Sequence, residues 1–392
     1  MADFSKVTTF MEGLEDNYHV KGASVAVYHH GAQVYKKHVG IMKEDGRRVD
    51  DDTLFRIYSM SKPVTAVAAM QLFEQGKYLL HEEVGRYLPA FWGGKVARLK
   101  SSGAYGWYNP PVVGNMTIEQ MLTMTAGLTY GGCFHPAEIE TSRITEQLSK
   151  DTQDNYTTRQ FADAIAKSPL MFEPGSHWNY SYCMDVVGAL IEVWSGMSFG
   201  EYLEKNIFEP LGMKDTFFHI PDGKRERLSD FWEYNEQEKS YRLYGESDRP
   251  LYTGHVFESG GAGLITTLED YGKFAKMLAN RGTSPEGVRI LGSATVDLMR
   301  RDHLNDAQKA DYDWETLKGY SYGLGVRTMV DPAAGGSPSS VGEFGWNGLP
   351  GPYVLADPAR ELAIVYMQQL YPNMEAQIQP RLRNIVYGCI DD

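Results

Sequence analysis

Cysteine is scarce in this 392-residue chain. Cys133, Cys183 and Cys389 lie far apart, with no C-x-x-C spacing and no paired histidine. That excludes a disulfide framework and a cysteine zinc motif, and it predicts three reduced, mostly buried thiols. The 10 histidines show no His-x-x-x-His or His-Glu-x-x-His spacing, so no metal is expected. Positive charge is also short: 38 Lys and Arg stand against 51 Asp and Glu, a formal net charge of −13. Nucleic acid and anionic membrane faces need basic patches, so neither is an expected partner. No apolar run approaches the ~20 residues of a membrane span. The opening "MADFSKVTTFMEGLEDNYHV" has neither an apolar h-region nor a small-residue cleavage site, and the expected setting is the cytoplasm.

What is present is a full core and many rings. Hydrophobic residues make up 42% of the chain and aromatic residues 12%, with 25 Tyr. This suits a globular protein that lines a sizeable pocket. The length predicts about two domains, or one large unit carrying an insertion. Residues 3–17 have the period of an amphipathic helix, and "ASVAVYHHGAQVYKKHVGIM" predicts a hairpin around His30-Gly31. Helical patterns dominate from about 116 to 310, including "TIEQMLTMTAGL" behind a capping Thr117. Strand periodicity returns over 322–330, 352–357 and 361–369, before a final helix. A two-stranded hairpin alone is marginal. The economical architecture is therefore α/β: an antiparallel sheet built from both chain ends and flanked by helices (1–92 and 312–392), with an inserted mainly helical domain (93–311). The Gly/Pro/Ser-rich stretch 92–114 is the candidate boundary.

The chemistry-bearing stretch is "YSMSKPVTAVAAM". Pro63 has no N–H, so the helical bond from residue 63 back to residue 59 cannot form. Ser59 therefore sits at the mouth of the helix, where free N–H groups and the helix dipole point. Lys62 lies three residues on, on the same face. Among apolar neighbours it would be partly desolvated, which lowers its pKa and suits a base for a serine hydroxyl. The same residues also fit a serine, Ser59 or more readily Ser61, that caps the helix and a lysine that reaches for water. S-x-x-K alone does not decide.

Several further segments, in order, do. "SMSKPVTAVAAMQLFEQGKYLL", "MTIEQMLTMTAGL", "FEPGSHWNYSYCMDVVGALIEVWSGMSFGEYLEKNIFEPLGMKDT" and "ESGGAGLITTLEDYGKFAKML" resemble the serine β-lactamase and penicillin-binding-protein superfamily. The likeness is to its class C-like branch, and most of all to the β-lactamase-like (family VIII) carboxylesterases. It implies that Ser59 is the nucleophile, with Lys62 and Tyr180 moving the proton. A phenol beside an ammonium would favour its phenolate, as a general base needs. The family's Tyr-x-Asn falls on Tyr180-Ser181-Tyr182, so Tyr182 replaces the asparagine that helps hold an amide side chain. Its Lys-Thr-Gly, on an edge strand in lactamases, falls on Trp346-Asn347-Gly348. Tryptophan there removes the cation that would hold a penicillin or peptide carboxylate. The resemblance further implies an oxyanion hole from the N–H groups of Ser59 and Leu349. It implies a pocket shaped by Trp346, Asn347, Gly348, Tyr182 and Tyr130.

Two other motifs lead elsewhere. "GMSFG" (196–200) fits G-x-S-x-G, but that elbow needs a strand before it, whereas here Gly196 ends a helix and Ser198 caps the next. "GGAGL" (260–264) lacks the spacing and lysine of a phosphate loop, and no cofactor is expected. The reading is a serine hydrolase acting on small-molecule esters through an acyl-enzyme on Ser59. Its alternatives are a β-lactamase or D-amino-acid peptidase, or an acyltransferase to a small-molecule acceptor.

Overall fold

The computed structural model describes residues 3–99, 107–245 and 255–390. Strands β1 (Gly22–His29) and β2 (Ala32–Gly40) form the expected hairpin. His30 and Gly31 both take positive φ, 50° and 74°, the left-handed pair that matches a two-residue turn to the strand twist. Five strands from the far end of the chain join them. These are β3 (Tyr320–Tyr322), β4 (Arg327–Met329), β5 (Phe344–Asn347), β6 (Tyr353–Asp357) and β7 (Leu362–Gln368). The result is one antiparallel sheet in the order β2-β1-β7-β6-β5-β4-β3. First and last segments pair side by side, as the sequence predicts. The run predicted as one strand over 322–330 is instead two. Gly325, at φ 76°, turns the chain so that Arg327 pairs back onto Tyr322.

Side chains alternate across the sheet, and each face has its own cover. Ala26, Tyr28, Val354, Ala363 and Val365 belong to one buried cluster with α2 (Lys62–Glu74), α3 (Cys183–Ser195) and α4 (Leu268–Ala279). Val25, Val27, Leu355, Ile364 and Tyr366 pack with the terminal helices α1 (Ser5–Glu12) and α5 (Glu375–Tyr387). Burying one such aliphatic side chain contributes roughly 1.5–3 kcal/mol. A one-residue slip would exchange the two faces, so the register is firmly set.

By chain position α4 falls within 93–311, yet it lies against β7, β1 and β6. Gly272 makes this possible, because a Cβ there would stand 1.9 Å from the Tyr28 hydroxyl. The N-terminal helix predicted over 3–17 breaks at Gly13 into α1 and a short helix, Leu14–Tyr18. A 17-residue helix, Pro136–Thr152, has no counterpart in the sequence reading. It begins at a histidine instead of Ser, Thr, Asp or Asn: His135 Nδ1 accepts the Ala137 N–H while Glu138 takes the His135 N–H. Of the boundary stretch 92–114, residues 100–106 lie outside the described residues. Among the described residues, no helix is long and apolar enough to cross a membrane.

Candidate active site

A two-residue strand, Phe55–Arg56, leads into a tight 3-10 turn, Tyr58–Ser61, and α2 starts at Lys62 with Pro63 in its first turn. Ser59 thus stands just ahead of the helix, partly exposed, while Lys62 behind it is fully buried. Tyr58 takes φ 42°. A left-handed backbone at a non-glycine residue costs of order 1–3 kcal/mol and persists only where packing enforces it. Ser61, expected to cap the helix, does not do so. Its hydroxyl accepts the Leu264 N–H at 3.0 Å and ties the turn to the glycine-rich segment 260–264.

Lys62 Nζ makes three contacts: Ser59 Oγ at 3.0 Å, Tyr130 Oη at 3.3 Å and the Gly261 carbonyl at 2.8 Å. It also lies 4.4 Å from the centroid of the Tyr180 ring. Burial pulls its pKa down to about 7, against the opposing pull of Asp185 and, more weakly, Cys183. The desolvation expected for this lysine is therefore present, and more complete than a helix-mouth position alone implies.

Tyr180 departs from expectation in one respect. Burial raises its phenol well above the ordinary range, with hydrogen bonding to Ser59 and Trp346 pulling the other way. The ammonium that was to favour a phenolate loses its own charge near neutral pH. Burial thus favours the protonated phenol of Tyr180 and the neutral amine of Lys62. Tyr130 is likewise held protonated, first by burial.

Trp346 is buried at the end of β5 and donates its indole N–H to Tyr180 Oη at 3.0 Å. The rings of Tyr180 and Trp346 are 5.5 Å apart, those of Tyr130 and Tyr180 also 5.5 Å, and those of Tyr130 and Tyr182 4.5 Å. Strand β5 is paired on both sides, so it is not an edge strand of the kind the motif occupies in lactamases. Its pairing with β4 stops at Gly345, however, while Trp346 and Asn347 pair only with β6. The end of the strand lies beside the turn that carries Ser59. Gly348 permits the approach: a Cβ there would stand 2.2 Å from the Ile57 carbonyl. Leu349, exposed, follows directly.

Asn347 does not join the others. Successive strand residues face opposite sides, and its amide bonds to Glu375 on the far side of β5 from Trp346. There it lines a small cavity with Arg327, Tyr353 and Arg383. The structure thus brings together Ser59, Lys62, Tyr130, Tyr180, Tyr182, Trp346 and the Gly348-Leu349 backbone, and turns Asn347 away.

The sequence reading passed over Asp185, Gly261 and Trp314. The Trp314 ring stands 5.3 Å from that of Tyr180. Asp185 is buried in the first turn of α3 and bonds to Ser259 and the Gly261 N–H. A lone carboxylate in the apolar run "CMDVVGAL" is the sequence sign of it. The alternative nucleophile fails on geometry. Gly196 ends α3 in a left-handed conformation, and Ser198 Oγ accepts the Glu201 N–H at 3.2 Å as the cap of the next helix. All three cysteines are free; Cys183 and Cys389 are buried and Cys133 is exposed.

Comparison with known proteins places the chain in a family. Esterase EstB of Burkholderia gladioli is 30% identical over 387 residues, covering 94% of this chain and 91% of its own. The structure of EstCE1, described as a hydrolase with promiscuous acyltransferase activity, superposes with a TM-score of 0.81. It is 25% identical and covers 98% of both chains. Simvastatin synthase LovD from Aspergillus terreus shares the fold, with a TM-score of 0.83 at 22% identity over 99% of both chains. The family model for Beta-lactamase matches residues 6–387, and the chain belongs to that family.

Proposed function

We propose that the protein is a serine hydrolase that cleaves carboxylic esters through an acyl-enzyme on Ser59. The observation that carries this reading is the 3.0 Å contact between Lys62 Nζ and Ser59 Oγ, made by an amine that burial holds near pKa 7. A base is most effective when its pKa lies near the working pH. In the neutral amine the contact reverses, with the Ser59 hydroxyl donating.

Ser59 Oγ then attacks the ester carbonyl as its proton passes to Lys62. The N–H groups of Ser59 and Leu349 hold the oxyanion; such donors are worth several kcal/mol each when preorganised. Tyr180, a protonated phenol, gives its proton to the leaving alkoxide and is reprotonated from Lys62. Water, activated by the same amine, attacks the acyl carbonyl, and Ser59 recovers its proton as the acid leaves. Trp346, Tyr182 and Tyr130 wall the pocket, with the Gly348 backbone as its floor. Ser59, Lys62 and Trp346 come from 1–92 and 312–392, and Tyr130 and Tyr180 from 93–311. We take these as the two domains whose boundary forms the cleft.

Trp346 and Tyr182, in place of the Lys and Asn of the lactam- and peptide-cleaving members, support an ester over an amide. The esterase and hydrolase descriptions of EstB and EstCE1 support the same choice. A cytoplasmic setting belongs to the proposal and is supported by the three free thiols. Acyl transfer would use the same residues with an alcohol in place of water, and the description of EstCE1 supports it as a side reaction.

The test is a panel of p-nitrophenyl esters of rising acyl length, beside a chromogenic cephalosporin and a D-alanyl amide, with and without added alcohol. Ester turnover should exceed the other two, Ser59→Ala should abolish it, and a phosphonate probe should label the Ser59 peptide. Cephalosporin turnover above that of every ester would overturn the ester assignment.

A further inference from the structure

The buried carboxylate of Asp185 is a titratable group that the mechanism above leaves unused. It sits in the first turn of α3, 2% exposed, and no lysine or arginine pairs with it among the ion pairs of the described residues. Its Oδ1 accepts two hydrogen bonds from one short segment, from the Ser259 hydroxyl at 2.5 Å and the Gly261 N–H at 3.2 Å. That segment has no room to shift. A Cβ on Gly260 would stand 2.3 Å from the Met184 carbonyl, and one on Gly261 would stand 2.6 Å from Asp185 Oδ2. Gly261 is therefore held through its N–H by Asp185. Its carbonyl accepts from Lys62 Nζ at 2.8 Å, the shortest of the amine's three contacts. A second tie runs in parallel, from Thr65 Oγ1 to the Gly260 carbonyl at 2.7 Å.

We propose that Asp185 is a positioning residue for Lys62. Through the Gly261 peptide it fixes where the amine stands, and its charge sets how readily that amine holds a proton. The inference rests on Lys62 serving Ser59. The groups facing the amine are Ser59 from the turn before α2, Tyr130 and Tyr180 from their loops, Cys183 and Asp185 from α3, and the Gly261 peptide. Burial keeps Tyr130 and Tyr180 protonated and raises the Cys183 thiol to about 12. Asp185 is thus the carboxyl group of this set, a residue type ordinarily ionised at neutral pH. Burial raises its own pKa, and the Ser259 hydroxyl, Lys62 and the Gly261 N–H oppose that. The first turn of a helix also favours an anion. Asp185 counters part of the desolvation of Lys62 and keeps its pKa in the working range.

The experiment compares wild type, Asp185→Asn and Asp185→Glu by kcat/KM against pH on one p-nitrophenyl ester. Asparagine keeps an acceptor for Ser259 and Gly261 but removes the charge. Without that charge Lys62 loses its proton more easily, so the acid limb of the profile should move to lower pH by about 1 unit or more. Asp185→Glu should bring the limb back toward the wild-type position. A residue that only held the fold would lower activity without moving the limb, and an unmoved limb in folded Asp185→Asn overturns the proposal. If Asp185→Asn does not fold, Ser259→Ala is read instead. It frees one side of the clamp, and kcat should fall at least 5-fold with KM little changed, whereas a wild-type kcat overturns the proposal. Phosphonate labelling of Ser59 in the wild type separates the two readings. Absence of label there removes the nucleophile itself, while label together with an unmoved limb removes only the role of Asp185.

Discussion

Lys62→Met should abolish ester turnover and at the same time raise the melting temperature. Methionine has a similar length and flexibility and no charge to desolvate. The lysine's pKa falls from 10.5 to about 7 on burial. A group with a depressed folded-state pKa leaves stability intact above its unfolded pKa, and that stability is lost as pH falls toward the folded value. The unfolded chain holds the proton that the folded chain gives up, so stability contributed by Lys62 drops between pH 10.5 and about 7. Each unit corresponds to 1.36 kcal/mol, a penalty of about 5 kcal/mol at and below neutral pH. The variant escapes this penalty but leaves the Gly261 carbonyl without the Lys62 donor, which costs ~1–3 kcal/mol. The net gain is roughly 2–4 kcal/mol. With an unfolding entropy of about 0.8 kcal/mol/K for a chain of 392 residues, Tm should rise by about 2–5 °C. The assay is differential scanning calorimetry at pH 6.5 and pH 9. By pH 9 the wild-type penalty has shrunk to ~2 kcal/mol, so the gain should largely vanish. A variant that melts no higher than wild type at pH 6.5, or whose gain does not shrink with pH, would show that burial does not depress the pKa of Lys62.

Three further outcomes are expected. Trp346→Phe keeps a ring but loses the indole N–H that Tyr180 accepts; one neutral hydrogen bond is worth about 1 kcal/mol, so kcat should fall about 5-fold. Steady-state kinetics at an unchanged kcat would take Trp346 out of the proton machinery. Ser198→Ala removes a helix cap and should cost about 1 kcal/mol of stability with ester kcat within about twofold of wild type; loss of all activity would move the nucleophile to "GMSFG". Asn347→Ala, on the far side of β5, should lower Tm while KM for esters stays within about twofold. A tenfold rise in KM would mean that this amide does reach the substrate.

The sequence made the sheet and the mouth of the helix behind Ser59 legible because each has a local cause. Near-continuous β-rich apolar runs at 23–29 and 361–368 mark strands with two buried faces, Pro63 marks a helix mouth, and His30-Gly31 marks a tight turn. What was not legible depends on contacts made at a distance. The break within 322–330 turns on Gly325, whose Cβ would stand 2.6 Å from the Ala66 side chain; nothing near it in the chain shows this. Ser61 looked like a cap because serine before a helix usually is one. Its actual partner, the Leu264 N–H, is 203 residues away. Asn347 follows Trp346 in one motif, yet strand alternation puts their side chains on opposite sides of the sheet, and only the occupant of the far side, Glu375, shows where the amide goes. The protonation state of Tyr180 could not be read from its neighbours either, since it depends on how completely the pocket excludes water.

That exclusion is what ties the tryptophan to the substrate. Position 346 is 2% exposed and its side chain reaches the phenol over which Lys62 already sits. A lysine at this position would place a second cation in the same dry space, and two like charges there would each depress the other's pKa. Such a site makes sense when a substrate carboxylate arrives to offset the added charge. An indole N–H supplies a hydrogen bond to Tyr180 with no charge at all, so the resting site requires no anionic group from its substrate. On the proposed reading, a neutral ester entering it meets an amine whose charge burial disfavours, two phenols that burial keeps protonated, and a ring wall. An anionic lactam or peptide would instead have to desolvate its carboxylate against groups that cannot pair with it, at a cost of several kcal/mol. On the proposed reading, tryptophan at this position acts twice: it offers a carboxylate no cation, and it adds no second positive charge beside Lys62.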